Sequence, residues 1–355
     1  MIRYDRSASP AAPARWLAGG LALLAAVAAG GEGDPVSACL QAEAGPAQVI
    51  ADCTAASEVA GLAPDRHAAV LVRRGLARMA SRDLEGARQD LDAAIRLDAG
   101  SPWAYNSRGV VWMQQGDPDQ AIADYEHAVQ LAPKYGFAWA NLGNARLMKG
   151  DADQALADLG KSIQLDLPHV ELAYTGRGKV WLAKGDYGRA REDFDAALQA
   201  NPNYANALSG RAFAYFCQGN FEAAAADFRS ERRLRRDSES AIDLVIAMRR
   251  GGHDGQAELA AAGKEIDQGQ GMPAGLALFM GTITPEQALQ ASADRDPRVQ
   301  RLRSCAASFE VGEWYLLRAD LPGARHFLQM ARQACDVSQR AYAAAGAELS
   351  RLDPH

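Results

Sequence analysis

No two cysteines of this sequence stand as CxxC, no HExxH joins its histidines, and no GxSxG elbow occurs anywhere. Those absences leave zinc-ribbon, thioredoxin-type, zincin and serine-hydrolase chemistry without support. There is no basic excess either: 38 Lys and Arg against 44 Asp and Glu leave a net charge of −6. Nucleic-acid binding rests on basic surface, so no nucleic-acid partner is expected. Aromatic residues are few, at 7% of 355 residues. Alanine is abundant, which suits helices packed closely through small side chains.

Long apolar runs are also missing, with one exception. Arg3, Arg6 and Arg15 precede "WLAGGLALLAAVAA" at 16–29, followed by polar "GGEGDP". A basic start, a short apolar stretch and small residues at its end predict a secretory signal peptide over 1–29. The run falls short of a spanning helix, so an uncleaved anchor is the rival reading, and membrane contact is expected through this segment alone. "VSAC" at 36–39 looks like a lipoprotein cleavage box, but Glu32 and Asp34 lie where that box needs apolar residues. The signal style and the preference for Arg over Lys point to a bacterial periplasm, or secretion. In that setting five cysteines suggest two bridges and one free thiol, with Cys39–Cys53 and Cys305–Cys335 the pairs that spacing offers, leaving Cys217.

What the chain does have is a phrase that returns. With the glycine of "RG" as position 8 of a 34-residue unit, segments 68–101, 102–135, 136–170, 171–204 and 205–238 align, one extra residue falling in the third. Position 8 is Gly75, Gly109, Gly143, Gly178 and Ala212; position 20 is alanine throughout; position 24 is Leu91, Tyr125, Leu159, Phe194 and Phe228. Small residues let two helices approach, and the large one fills the space beside them. "GD" at 116–117, 150–151 and 185–186 ends one helix and caps the next.

This unit resembles the tetratricopeptide repeat (TPR), a helix-turn-helix of the same period. The resemblance implies an all-α fold: a solenoid of helical hairpins in a right-handed superhelix, with less regular helical extensions at both ends. It covers residues 68–238, between an N-terminal cap at 35–67 and an irregular helical region at 239–304. A degenerate unit with a C-terminal helix follows at 305–351.

Arginine recurs at position 7 (Arg74, Arg108, Arg177, Arg211) and aspartate at position 23 (Asp90, Asp124, Asp193, Asp227). In an antiparallel hairpin these lie at similar heights, so they are expected to form a structural clamp. A catalytic pair would not be repeated down the chain. Leu142 breaks the series and leaves Asp158 to find another partner.

The resemblance also implies a concave face formed by positions 2, 5, 9, 12 and 13 of each first helix. Those are Val72, Leu76, Met79, Trp103, Asn106, Val110, Met113, Phe137, Asn144, Leu147, Met148, Leu172, Thr175, Lys179, Leu182, Phe213, Phe216 and Cys217. Lys179 is the sole charge in that set, so capture of a carboxylate terminus is not expected. An apolar groove suits a helix or extended segment of a protein or peptide partner, envelope proteins in this reading. The chain's own cap, its C-terminal helices or a second subunit would fit the same groove. The sequence thus predicts an exported, non-enzymatic scaffold with no cofactor and no metal. Its alternatives are a self-associating structural protein, such as a homodimer, and an enzyme with a site in 239–304. "GRGK" at 176–179 lies within a helix and is not a phosphate loop. "RSERRLRRDSE" from Arg229 is read as a solvated helix end, with a docking patch as its rival.

Overall fold

In the computed structural model, residues 34–41, 44–165, 168–235, 237–266 and 272–353 are described, and the expected signal segment 1–29 lies outside them. Among the described residues there are nineteen helices and no strand. The chain divides into two compact units, one of residues 2–149 with 157–168, the other of 150–156 with 169–355.

The first unit contains α1 (Pro35–Gln41), α2 (Pro46–Ser57), α3 (Pro64–Ala80), α4 (Leu84–Leu97), α5 (Pro102–Gln115), α6 (Pro118–Leu131) and α7 (Gly136–Lys149). The division falls inside α8 (Ala152–Gln164). Proline opens α2, α3, α5 and α6 in the first turn, where its missing N–H costs nothing. Each "GD" step then acts at two levels. Gly116 adopts φ 80° and ψ 31°, a left-handed position that ends α5, and the next residue, Asp117, accepts a hydrogen bond from the Gln120 N–H to start α6. In the first hairpin no glycine stands at this turn, and Arg82 takes φ 66° instead. Gly109 lies so close to the next helix that a Cβ there would sit 2.5 Å from Tyr125 Cε1. Tyr125, like Leu91 in the preceding hairpin, is fully enclosed by such contacts.

α1 and α2 are tied by a Cys39–Cys53 disulfide. Val36, Leu40 and Val49 close around it and against Val70 of α3. For the enclosed loop of this size, the chain-entropy account gives about 3 kcal/mol. The short pair therefore covers the apolar end of the first hairpin with modest hydrophobic area of its own.

The second unit continues with α9 (Val170–Lys184), α10 (Tyr187–Ala200), α11 (Ala205–Cys217), α12 (Phe221–Leu234) and α13 (Ser238–Arg250). Shorter helices follow: α14 (Gln256–Ile266), α15 (Ala274–Met280) and α16 (Pro285–Ala291). A long hairpin, α17 (Pro297–Leu316) and α18 (Leu321–Ala334), and a final helix, α19 (Arg340–Leu352), complete it. The degenerate unit expected from Cys305 begins earlier, because Asp296 and Pro297 supply a cap and first turn and the helix runs on from there. Cys305 is two turns inside α17 and is bridged to Cys335 just beyond α18. Phe194, Phe216, Phe228, Leu244, Leu276 and Leu328 share one core that spans repeat hairpins and C-terminal helices.

Candidate interaction surface

The recurring charges are spent inside the hairpins. Arg74 donates to both carboxylate oxygens of Asp90, from Nε at 3.0 Å and Nη2 at 2.7 Å. Arg108 does the same to Asp124, at 2.9 and 2.7 Å, as does Arg177 to Asp193, at 2.9 and 2.6 Å. Arg211 repeats the fork on Asp227, at 2.7 and 2.8 Å. Two of these arginines also reach back one repeat, Arg108 to Asp92 at 2.8 Å and Arg211 to Asp195 at 2.7 Å. The hydrogen bond to Asp124 holds the Arg108 guanidinium well above its ordinary pKa, and Asp227 does likewise for Arg211.

In the third hairpin, where Leu142 stands at the arginine position, Arg146 has moved in from one turn along. It donates to Asp158 at 2.5 Å and reaches back to Glu126 at 2.6 Å. This contact is a single bond. Burial outweighs it, and the Asp158 carboxyl lies above its usual range. The substitution was visible in the sequence, and the replacement has a precedent in it: Arg78 stands at the same position 11 of the first unit and pairs with Asp90 at 3.1 Å.

The groove positions of the first unit are largely committed. Val72, Leu76 and Met79 belong to the core of the first hairpin, and Met113 to that of the second. Phe137 and Leu147 are buried. Asn106 donates to the Tyr135 hydroxyl at 3.2 Å and accepts from Asn141 at 2.9 Å. Asn144 is turned onto its own helix, donating to the Ala140 carbonyl. Trp103, Val110 and Met148 remain half-buried. The Trp103 ring lies 6.3 Å from that of Tyr135, and among the described residues its indole N–H is buried with no hydrogen-bond partner. These three are the part of the set still available for apolar contact.

In the second unit Lys179 is exposed, while Leu172, Thr175, Leu182, Phe213, Phe216 and Cys217 are buried. Phe213 and Phe216 meet the chain's own later helices: Phe216 packs edge-on to Phe309, 6.3 Å between centroids, and the Arg340 guanidinium lies 5.1 Å from the Phe213 ring. Cys217 is the one free thiol among the described residues. Burial pushes it up to about 12, which disfavours the thiolate at neutral pH. The basic stretch from Arg229 is partly consumed within the unit. Arg232 pairs with Glu265 at 2.6 Å and also donates to the Asp237 carbonyl, and Arg235 is bonded to Asn206.

Behind this surface is a buried ionic cluster that no sequence spacing announced. Arg250 bridges Glu313 at 2.9 Å and Glu348 at 3.0 Å, joining residues 63 and 98 positions away. Glu313 is fully enclosed, and desolvation together with the neighbouring Glu348 charge raises its carboxyl pKa.

Residues 102–135 and 175–240 match family models described as tetratricopeptide repeat. No curated protein matches the chain in sequence. Among solved structures, PilF of Pseudomonas aeruginosa aligns with TM-score 0.51 at 18% identity, over 58% of this chain and 92% of that one. PilW, a type IV pilus biogenesis factor, gives 0.53 at 15%, over 57% and 94%. A chain of the APC/C hetero-tetramer Cut9–Hcn1 gives 0.52 at 14%, over 94% and 50%. At such identities these likenesses establish a shared fold and nothing finer. Repeats of this kind serve as protein-interaction scaffolds. With in-phase hairpins and matching family models together, the chain carries tetratricopeptide repeats, and its neighbours share that fold.

Proposed function

We propose that this chain is an exported, non-catalytic scaffold that holds protein or peptide partners of the bacterial envelope on the concave side of its repeats. The observation that carries the reading is where the recurring charges go. Every arginine and aspartate of the motif is used to fix a hairpin, which leaves the half-buried apolar groups Trp103, Val110 and Met148 as the surface offered. Two local disulfides suit an oxidising compartment, and the segment at 1–29 is the address for it. No helix among the described residues is long and apolar enough to cross a membrane. Residues 68–238 would be the working array, with 35–67 and 239–351 closing its ends.

Capture from the native envelope with the full chain tests this. Phe137 is enclosed, so its removal would damage the core; Trp103→Ala with Val110→Thr changes half-buried positions at the edge of the hairpin cores instead. The expected result is loss of specific partners with unchanged helical content. Recovery of the same set by both proteins would refute the groove, and light scattering on both would separate a homodimer from a hetero-complex.

A further inference from the structure

Asp34 is the residue on which α1 is built. Its main-chain carbonyl accepts from the Ala38 N–H at 2.9 Å. Its carboxylate accepts from the N–H and the hydroxyl of Ser37, each at 3.3 Å, which caps the helix. The same carboxylate faces Arg66 of α3 at 3.8 Å. Two residues on, Val36 is 1% exposed and packs in one core with Val49 of α2 and with Ala69 and Val70 of α3. Cys39 has no exposed surface, and its sulfur is bonded to that of Cys53, which is equally enclosed.

These placements bear on "VSAC" at 36–39. The lipoprotein route does two things to a cysteine so placed: it joins a diacylglyceryl group to the sulfur as a thioether, then cuts the chain immediately before that residue. Neither is compatible with this fold. A sulfur already bonded to its own Cβ and to the Cys53 sulfur has no valence left for a lipid. The cut would remove residues 34–38, and with them the cap, the ion pair to Arg66 and Val36 from the core. Only residues 39–41 of the seven in α1 would remain, less than one helical turn. Ala69 and Val70 of the first hairpin would lose that cover. A lipidated chain could not reach this structure. The other route, hydrolysis by a signal endopeptidase, needs small residues on the leader side of the cut, and "AVA" at 26–28 supplies them.

We propose that the maturation site of this chain is one peptide bond between Ala28 and Asp34, hydrolysed by a signal endopeptidase, and that Cys39 is a structural half-cystine instead of a lipid acceptor. Water is the sole co-reactant: its oxygen ends on the new carboxyl group of the leader and a proton on the new amino terminus. The mature scaffold keeps Asp34 and all of α1, carries no lipid and leaves the membrane. The inference rests on the export part of the reading above and adds its route.

The test produces the full chain with its own leader in a bacterium, then reads intact mass, N-terminal sequence and alkylatable thiols after unfolding. The expected product starts at one of residues 29–34, has the mass of the bare polypeptide, and offers one thiol, Cys217, to the alkylating agent. Cys39→Ser should start at the same residue and stay in the same soluble fraction, with Cys53 now alkylated as well. A wild-type product that starts at Cys39 with a diacylglyceryl mass increment overturns the proposal, and that readout needs no variant to fold. Loss of processing in Cys39→Ser overturns it too. Either result leaves export standing. A product that keeps Met1 also overturns the proposal, and its thiols then decide the wider reading: Cys39 and Cys53 oxidised retain export, whereas both alkylated remove it.

Discussion

Replacing Arg108 with methionine keeps most of its length and removes its charge. Asp124, whose side chain is 7% exposed, then loses both bonds that compensate its burial. Breaking one side of a buried pair costs about 3–5 kcal/mol. The lower end applies, because 22% of the arginine side chain is open to solvent. The link to Asp92 adds little, since that carboxylate is a quarter exposed and stays hydrated without it. The double variant Arg108→Met, Asp124→Leu removes the stranded charge together with its partner and should fall within about 1 kcal/mol of wild type. Urea unfolding followed by tryptophan fluorescence, with Trp103 and Trp112 on the same helix, completes the double-mutant cycle. A single variant costing under about 1 kcal/mol, or a double variant costing the sum of its singles, would refute the clamp.

The remaining expectations concern pH and packing. Burial raises Glu231 to about 7 and Asp243 to about 6. Protonation therefore favours the folded form, and the stability it brings is full below pH about 4 and lost as pH rises through 6 to 7. The melting temperature of wild type should fall between pH 5 and 8, and Glu231→Gln should shrink that fall by up to roughly 3 kcal/mol in stability. A fall unchanged by the substitution would show that Glu231 ionises freely. Gly109→Ala should destabilise by about 1–3 kcal/mol because the new methyl meets the enclosed Tyr125 ring. Gly160→Ala in α8 has open space and should gain about 0.5–1 kcal/mol; calorimetry on the two separates contact from helix propensity.

The hairpins were legible because each carries its information within one period. Glycine at position 8, alanine at 20 and a bulky residue at 24 are all seen within 34 residues, and so is the arginine 16 residues before its aspartate. What could not be read was non-periodic or distant. Arg146 took over a vacated role from position 11, which is arginine in the first unit too but tryptophan or tyrosine in the other three. Glu231, at a position filled by small residues in the other units, became a buried carboxyl. No spacing marked Arg340 as lying against Ser209, 131 residues earlier. A concave position named from a repeat pattern is a place on a helix, and what covers it is decided by segments outside the pattern.

The arrangement of the cysteines has a consequence for how the chain matures. Each bridge joins consecutive cysteines, 14 and 30 residues apart, so oxidation can follow synthesis piece by piece. The fifth cysteine, which could attack either bridge and scramble them, is kept protonated between helices and lacks the thiolate that exchange requires. Once the repeat around Phe216 has closed, that thiol is enclosed and set apart from both bridges in the chain order.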